Sequence, residues 1–285
     1  MPSASDPIEL KPAEWSGAAG ERWAVNTDKY ETMLADAGEA LLAAADLTPG
    51  LSVVEIGCGG GGITREIGAR VAPGGAVVGV DISPALTALA GDRARAAGLD
   101  HVSFVTADAG ADPVAGGPFD RVMSRFGIMF FRDPPAAFAN LRAMVKSGGR
   151  ADFAVWAPPA ENVAVSAMPV VAARHLNLPK PDPRAPGPFS LSDPEYFTGL
   201  LEQAGFTDVA MTKWQGNVYF GGKATVTEAA EFALNSSMLA DVVQDQPEPV
   251  KAAMRSDLEA LFAPYDGPDG VAAPASVWLV TARVP

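Results

Sequence analysis

The sequence is short of cysteine, of basic charge and of long apolar runs, and each shortage removes a class of function. Cys58 is its one cysteine, which excludes an intrachain disulfide and any zinc site built on several thiolates. No metal is expected. Lys and Arg number 21 against 34 Asp and Glu, for a net charge of −13 at pH 7. Such a surface repels both phosphate backbones and anionic lipid headgroups. Neither nucleic acid nor membrane is expected as a partner, and the excess of acid serves solubility. No stretch approaches the ~20 uninterrupted apolar residues of a transmembrane helix. Residues 1–11 are polar and contain proline, unlike the apolar core of a signal peptide. The expectation is a reduced, cytoplasmic chain, monomeric or homodimeric.

What is present is a rhythm. The 285 residues, 48% of them hydrophobic, suffice for one large α/β domain. Residues 1–12 read as loosely attached. From 15 to 45, Trp23, Tyr30, Leu34, Leu41 and Leu42 recur at helical spacing, and Thr48-Pro49-Gly50 is a stop. Strands are then expected at 51–56, 76–80, 102–107, 119–124 and 150–157, alternating with helices at 63–71, 84–97 and 134–145. Ser83-Pro84 supplies an N-cap and a first-turn proline for the second of these helices. Residues 158–192 are Pro-rich and poorly periodic and read as a cap loop. A helix at 193–204, a strand at 209–220, helices at 227–240 and 249–262 and a final strand at 276–283 complete the chain. Strand–helix alternation of this kind makes a parallel sheet covered by helices on both faces. Its ligands bind beyond the carboxyl ends of the strands.

The distinctive residues lie at those ends. Gly57, Gly59 and Gly62 fit G-x-G-x-x-G after the first strand, a weak signal by itself. Its physical content is a sharp strand-to-helix turn, with backbone a ligand can approach closely. A dinucleotide would place its pyrophosphate there. S-adenosylmethionine (SAM) would instead present a carboxylate, an ammonium and a sulfonium. Glu55, just before the first glycine, repels a pyrophosphate and suits the ammonium. Asp81 ends the second strand and can accept from ribose hydroxyls in either ligand. Asp108 after the third can accept from an adenine amino group, with the Ala109 N–H on a ring nitrogen and Ile82 on the apolar side of the ring.

The array Val53-Val54-Glu55-Ile56-Gly57-Cys58-Gly59, Gly79-Val80-Asp81-Ile82-Ser83, Ala107-Asp108-Ala109 and Phe119-Asp120-Arg121-Val122-Met123-Ser124 resembles class I SAM-dependent methyltransferases. It is most similar to the small-molecule group that includes ubiquinone and menaquinone C-methyltransferases. The helix and turn from Phe138 to Arg150 fit the same pattern, with Ser147 where the family usually has proline. The likeness is strong over residues 50–157 and looser over 194–283. It implies an α/β, Rossmann-like fold: a mostly parallel seven-stranded sheet with an antiparallel last strand. It also divides the single domain into an N-terminal helical lid (1–45), a SAM-binding core (46–157), the cap loop (158–192) and a C-terminal part with a helical insertion (193–285).

By the same resemblance Glu55, Gly57 and Gly59 surround the methionine end of SAM, Asp81 the ribose, and Asp108 with Ala109 the adenine. Ser124, Arg125 and Phe126 line the floor between cofactor and acceptor. Trp23, near Trp15, belongs to a segment similar to the lid over SAM. Arg125 is open to three readings: a carboxylate of the cofactor, a carboxylate of the acceptor, or an acidic side chain. Met129 and Phe130 join it as acceptor-side residues, and His175 in the cap region is the candidate base.

The expected reaction is methyl transfer from SAM to a small, hydrophobic or aromatic acceptor, through O, N or C. Such transfer rests on alignment in a dry pocket and needs a base only where the acceptor must lose a proton. Two other readings compete. An NAD(P)-dependent oxidoreductase would share the glycine turn, but Tyr219 and Lys223, spaced as Y-x-x-x-K, enclose two glycines that disfavour the helix such a pair needs. A SAM-fold protein with a regulatory or non-methylating role would keep the same cofactor residues.

Overall fold

Four consecutive buried residues, Val53 to Ile56, make β1 (Ser52–Ile56) a strand covered on both faces. The computed structural model describes residues 8, 10 and 13–285. Three short helices precede β1: α1 (Ala18–Val25), α2 (Thr27–Met33) and α3 (Ala35–Ala45). After it come α4 (Gly62–Val71), β2 (Ala76–Asp81), α5 (Pro84–Ala96), β3 (Val102–Thr106), β4 (Phe119–Arg125), α6 (Pro134–Ala143) and β5 (Val145–Trp156). The remainder is α7 (Val163–His175), α8 (Pro194–Gln203), β6 (Thr207–Tyr219), α9 (Val226–Ser236), α10 (Ala240–Gln244), α11 (Glu248–Phe262), the two-residue β7 (Asp266–Gly267) and β8 (Gly270–Arg283).

The main sheet runs β3-β2-β1-β4-β5-β8-β6, with β7 pairing only with the start of β8. Strands β1 to β5 are parallel, and β8 is antiparallel to both β5 and β6. This is the expected seven-stranded sheet with its antiparallel last strand. Residues Ala151 to Trp156 of β5 are all buried, so helices cover this strand on both faces as well. Local chemistry fixes the helix starts. Ser83 Oγ accepts from Leu86 N at 3.4 Å ahead of Pro84, Asp133 accepts from Ala136 N at 3.2 Å, and Thr225 with Glu228 forms a capping box. Strand order reverses between β2 and β4 around β1, which opens a crevice at the carboxyl ends of β1 and β4.

Three local expectations change. The single helical stretch over 15–45 is divided at Asn26 and Leu34, the caps between α1, α2 and α3. The stretch 158–192, read as loop from its prolines, contains α7, with Pro169 inside it. That helix survives because Ala164, Ala167, Met168, Val171 and Ala172 are buried, and it packs against α11 and β8. Tertiary burial outweighs the lost backbone hydrogen bond. The linker between α9 and α11 folds a short helix, α10. The expectation for residues 1–12 lies, apart from Ile8 and Leu10, outside the described residues.

The helices over β5 are locked to it by Phe138 of α6, Phe153 of β5 and Phe197 of α8, each fully buried, with ring centroids 5.5–6.4 Å apart. Aromatic burial of this kind is worth ~3–5 kcal/mol per side chain on truncation to alanine. Phe138→Ala should therefore lower unfolding free energy by ~3–5 kcal/mol in a urea titration. A loss under ~1 kcal/mol would mean that this cluster does not tie α6 and α8 to the sheet.

Candidate functional site

At the end of β1 the chain must leave the sheet and enter α4 within a few residues. Gly57 and Gly59 make this possible, with φ of +67° and +53°. A side chain at Gly57 would place its Cβ 2.7 Å from the Cα of Gly127, so the turns after β1 and β4 touch backbone to backbone. The turn is tied to β2: Gly57 N and Cys58 N donate to Val80 O at 2.8 and 3.0 Å, and Gly59 N donates to Asp81 Oδ2 at 2.9 Å. The other oxygen of Asp81 accepts from Ser83 N at 2.9 Å. Cys58 is buried under the turn, and burial pushes its thiol pKa up, which suits a packing role.

Beyond these ends lies a cavity of about 330 Å³, within the usual range for small-molecule sites. The structure brings together in its wall Trp23, Glu55, Gly57, Gly59, Asp81, Ile82, Asp108, Ala109, Arg125, Phe126 and Phe130. These eleven come from four strand ends and the first helix, so the topology has collected what the sequence spreads over more than 100 positions. Phe126 adopts φ +62°, a strained value for a bulky residue. Its ring is held there by stacking on Trp156 at 4.1 Å, and its N–H donates to Ala154 O at 2.9 Å.

Three candidates lie elsewhere. Ser124 is fully buried, donates to Ile56 O at 2.8 Å and accepts from Gly127 N at 3.2 Å. It fastens the ends of β1 and β4 behind the wall and does not line it. Met129 is buried, and its carbonyl accepts from Gly187 N and Ser190 Oγ at 3.0 and 2.7 Å. It anchors the 187–190 turn from outside the cavity. His175 sits at the end of α7 with Nε2 3.0 Å from Asp257 Oδ2, bridging α7 to α11 and not facing the cavity. Its isolation in a Pro-rich stretch singles it out in the sequence, whereas α7 carries it against α11.

One face of α2 contributes what residue types alone did not single out. Thr27, Tyr30, Glu31 and Leu34 all line the cavity and continue Trp23 at helical spacing. That periodicity was the available signal. Trp23 stacks on Tyr30 with centroids 3.5 Å apart and meets Trp15 edge-on at 5.7 Å, while Trp15 meets Phe130 at 4.9 Å. Glu31 pairs with Arg93 at 3.1 Å and Arg65 at 3.6 Å, which pins α2 over the glycine turn. Phe131 and Arg132 also line the cavity.

The electrostatics are those of buried charge. Burial raises the carboxyl of Glu55 from 4.5 to about 7, opposed by the hydrogen bond from Thr64 Oγ1 and by the charge of Arg125, with Asp81 and Glu31 adding to the rise. Asp81 is raised as well, by burial, against backbone donors at Ser83 and Gly59. Burial lowers Arg125, against the pull of Glu55 and Glu31. The wall is therefore acidic, partly neutralised, and dry enough to reward a cationic ligand.

Glu55 binds its proton more tightly in the folded chain than in the unfolded one. Its contribution to unfolding free energy therefore falls as pH rises from 4.5 to about 7, and flattens above. Glu55→Gln removes that component. Across this interval the variant should gain stability relative to the parent in urea melts, and parallel curves for the two proteins would refute the assignment.

Residues 53–149 match the family described as a methyltransferase domain. The nocamycin O-methyltransferase of Saccharothrix syringae is 35% identical over 120 residues, 42% of each chain. The demethylmenaquinone methyltransferase of Thermus thermophilus is 36% identical over 107 residues, 38% of this chain and 48% of that one. The chain thus spans under half the length of these two relatives. Among solved structures, a Haemonchus contortus phosphoethanolamine N-methyltransferase 2 superposes with a TM-score of 0.57 at 18% identity, over 96% of this chain and 61% of that one; the likeness is one of fold. The match to a methyltransferase domain over residues 53–149 thus falls on the strands and the glycine turn that build the cavity wall.

Proposed function

We propose that the protein transfers a methyl group from SAM to a small, hydrophobic or aromatic acceptor. The observation that carries this reading is the convergence of Glu55, Asp81 and Asp108 with the bare backbone of Gly57 and Gly59 on one cavity wall. The relatives named above, one an O-methyltransferase and one acting in menaquinone methylation by name, support it.

The donor set fits the cofactor group by group. Asp81 offers a carboxylate to a ribose diol, and Asp108 with Ala109 offers an acceptor and an N–H to an adenine edge. Ile82 lies beside them as an apolar flank, and the missing Cβ at Gly59 leaves room next to Trp23, whose Nε1 is 3.5 Å from where that atom would stand. Glu55, behind Gly57, suits a cationic amino-acid end. When bound, SAM supplies a methyl group activated on a sulfonium. The chain's own residues then have three tasks: to fix that end, to exclude water, and to orient the acceptor. Phe126, Phe130 and Trp15 form an apolar wall that does the second and bounds the third. No imidazole among the described residues lines the cavity, and the pairing of His175 with Asp257 speaks against its serving as a base there.

Two measurements test this. Calorimetry should give saturable binding of SAM and S-adenosylhomocysteine, and Asp81→Ala, with its fold verified by circular dichroism, should weaken both by about 10–100-fold through loss of charge-assisted hydrogen bonds. Unchanged affinity would mean the ribose lies elsewhere. Over an acceptor library, release of S-adenosylhomocysteine should be detected, and His175→Ala should keep the parent's turnover within about twofold, because the pair it breaks is partly exposed.

A further inference from the structure

Among the described residues two arginines, Arg125 and Arg132, line the cavity, and the surroundings of Arg125 leave it incomplete. It extends from the end of β4 toward the α2–α3 junction, where Nη1 donates to Leu34 O at 3.3 Å. That is its single hydrogen bond among the described residues, although a guanidinium carries five N–H donors. Two acids influence it electrostatically, Glu55 and Glu31, yet neither forms an ion pair with it within 4.0 Å. Glu31 is already engaged by Arg93 and Arg65. Glu55 takes its hydrogen bond from Thr64. A buried guanidinium and a buried carboxylate thus share one cavity wall, close enough to feel each other and too far apart to neutralise each other.

Such an arrangement is complementary to a zwitterion. A ligand carrying only positive charge would satisfy Glu55 and be repelled by Arg125; an amino-acid group satisfies both, ammonium to the acid and carboxylate to the planar fork. We infer that Arg125 receives the carboxylate of the cofactor's amino-acid end while Glu55 receives its ammonium, so that this pair makes the site selective for a ligand with an intact amino-acid group. The inference rests on the SAM reading above and selects one of the roles open to Arg125, since its guanidinium lies by Leu34 and Gly38, within electrostatic reach of Glu55. Gly38 marks the place: a Cβ there would meet Arg125 Nη1 at 3.0 Å and Ile63 Cδ1, at the start of α4, at 2.8 Å. The guanidinium therefore sits where the glycine turn enters its helix.

The test compares two ligands in calorimetry: S-adenosylhomocysteine, and 5′-methylthioadenosine, which keeps the adenosine and thioether and lacks the amino-acid end. Arg125→Met should weaken S-adenosylhomocysteine by about 10–100-fold, the scale of charge-assisted hydrogen bonds, and leave 5′-methylthioadenosine within about twofold. Arg125→Lys keeps the charge without the fork; it should show a smaller loss confined to S-adenosylhomocysteine, and it carries the test if the methionine variant does not fold. Equal weakening of both ligands, or of neither, overturns the role given to Arg125 and leaves the SAM reading standing. Binding of neither ligand by the parent protein overturns both.

Discussion

The turns after β1 and β4 meet with no side chain between them. A Cβ on Gly57 would lie 2.7 Å from Gly127 Cα, and one on Gly127 would lie 2.8 Å from Gly57 Cα, so neither position has room for anything but hydrogen. This approach occurs where the strand order reverses, and there two loops part to opposite sides of the sheet and leave a crevice. Ser124 secures the contact, donating to Ile56 O and accepting from Gly127 N. Glu55 and Arg125 are neighbours of this junction in sequence, which is why both end up in the same wall. The strained backbone of Phe126 is part of the same device, since its ring must turn back onto Trp156 to let Gly127 reach Gly57.

From that junction the electrostatic character of the site follows. A carboxylate placed two residues before Gly57 is at the buried end of a central strand, 2% exposed. Burial would make it costly without partners, and Thr64 and the more distant Arg125 offset only part of that cost. A salt bridge closed within the protein would be more comfortable and would bind nothing. Arg125 is instead held toward the α2–α3 junction by its bond to Leu34 O.

The parts of this molecule that were legible in its sequence are those governed by local rules. Strands β1 to β3 announce themselves as short runs rich in β-branched residues, and Asp81 and Asp108 are visible because an acid closing an apolar strand has no packing reason to be there. The parts that were not legible depend on partners distant in sequence. Nothing local separates Ser124, which is buried behind the wall, from Arg125 and Phe126, which line the cavity. Met129 and Phe130 are adjacent and similar, yet one anchors the 187–190 turn and the other faces the cleft. The helix α7 breaks the local rule on proline because its small residues pack against α11 and β8. His175 then follows the helix and pairs with Asp257, 82 residues on.

The acceptor side is the least legible for a related reason. The family match ends at residue 149, and the elements that cover the cleft come from outside it. Trp15 and Trp23 of the N-terminal segment reach the cleft through Phe130 and Tyr30, and Tyr30 passes the contact on to Phe232 of α9 at 5.2 Å, then to Phe220 at 5.5 Å and Phe262 of α11 at 5.1 Å. Tyr30 also donates to Ser236 O at 3.0 Å, and Arg22 of α1 pairs with Asp241 of α10 at 2.8 Å. The helices over the cofactor wall are thus bonded sideways to the C-terminal helices and downward to α4 and α5 through Glu31. A change in α9 or α10 bears on the position of Trp23 without touching the cavity. The cavity wall therefore depends both on the sheet ends and on how the N-terminal helices pack against the C-terminal ones.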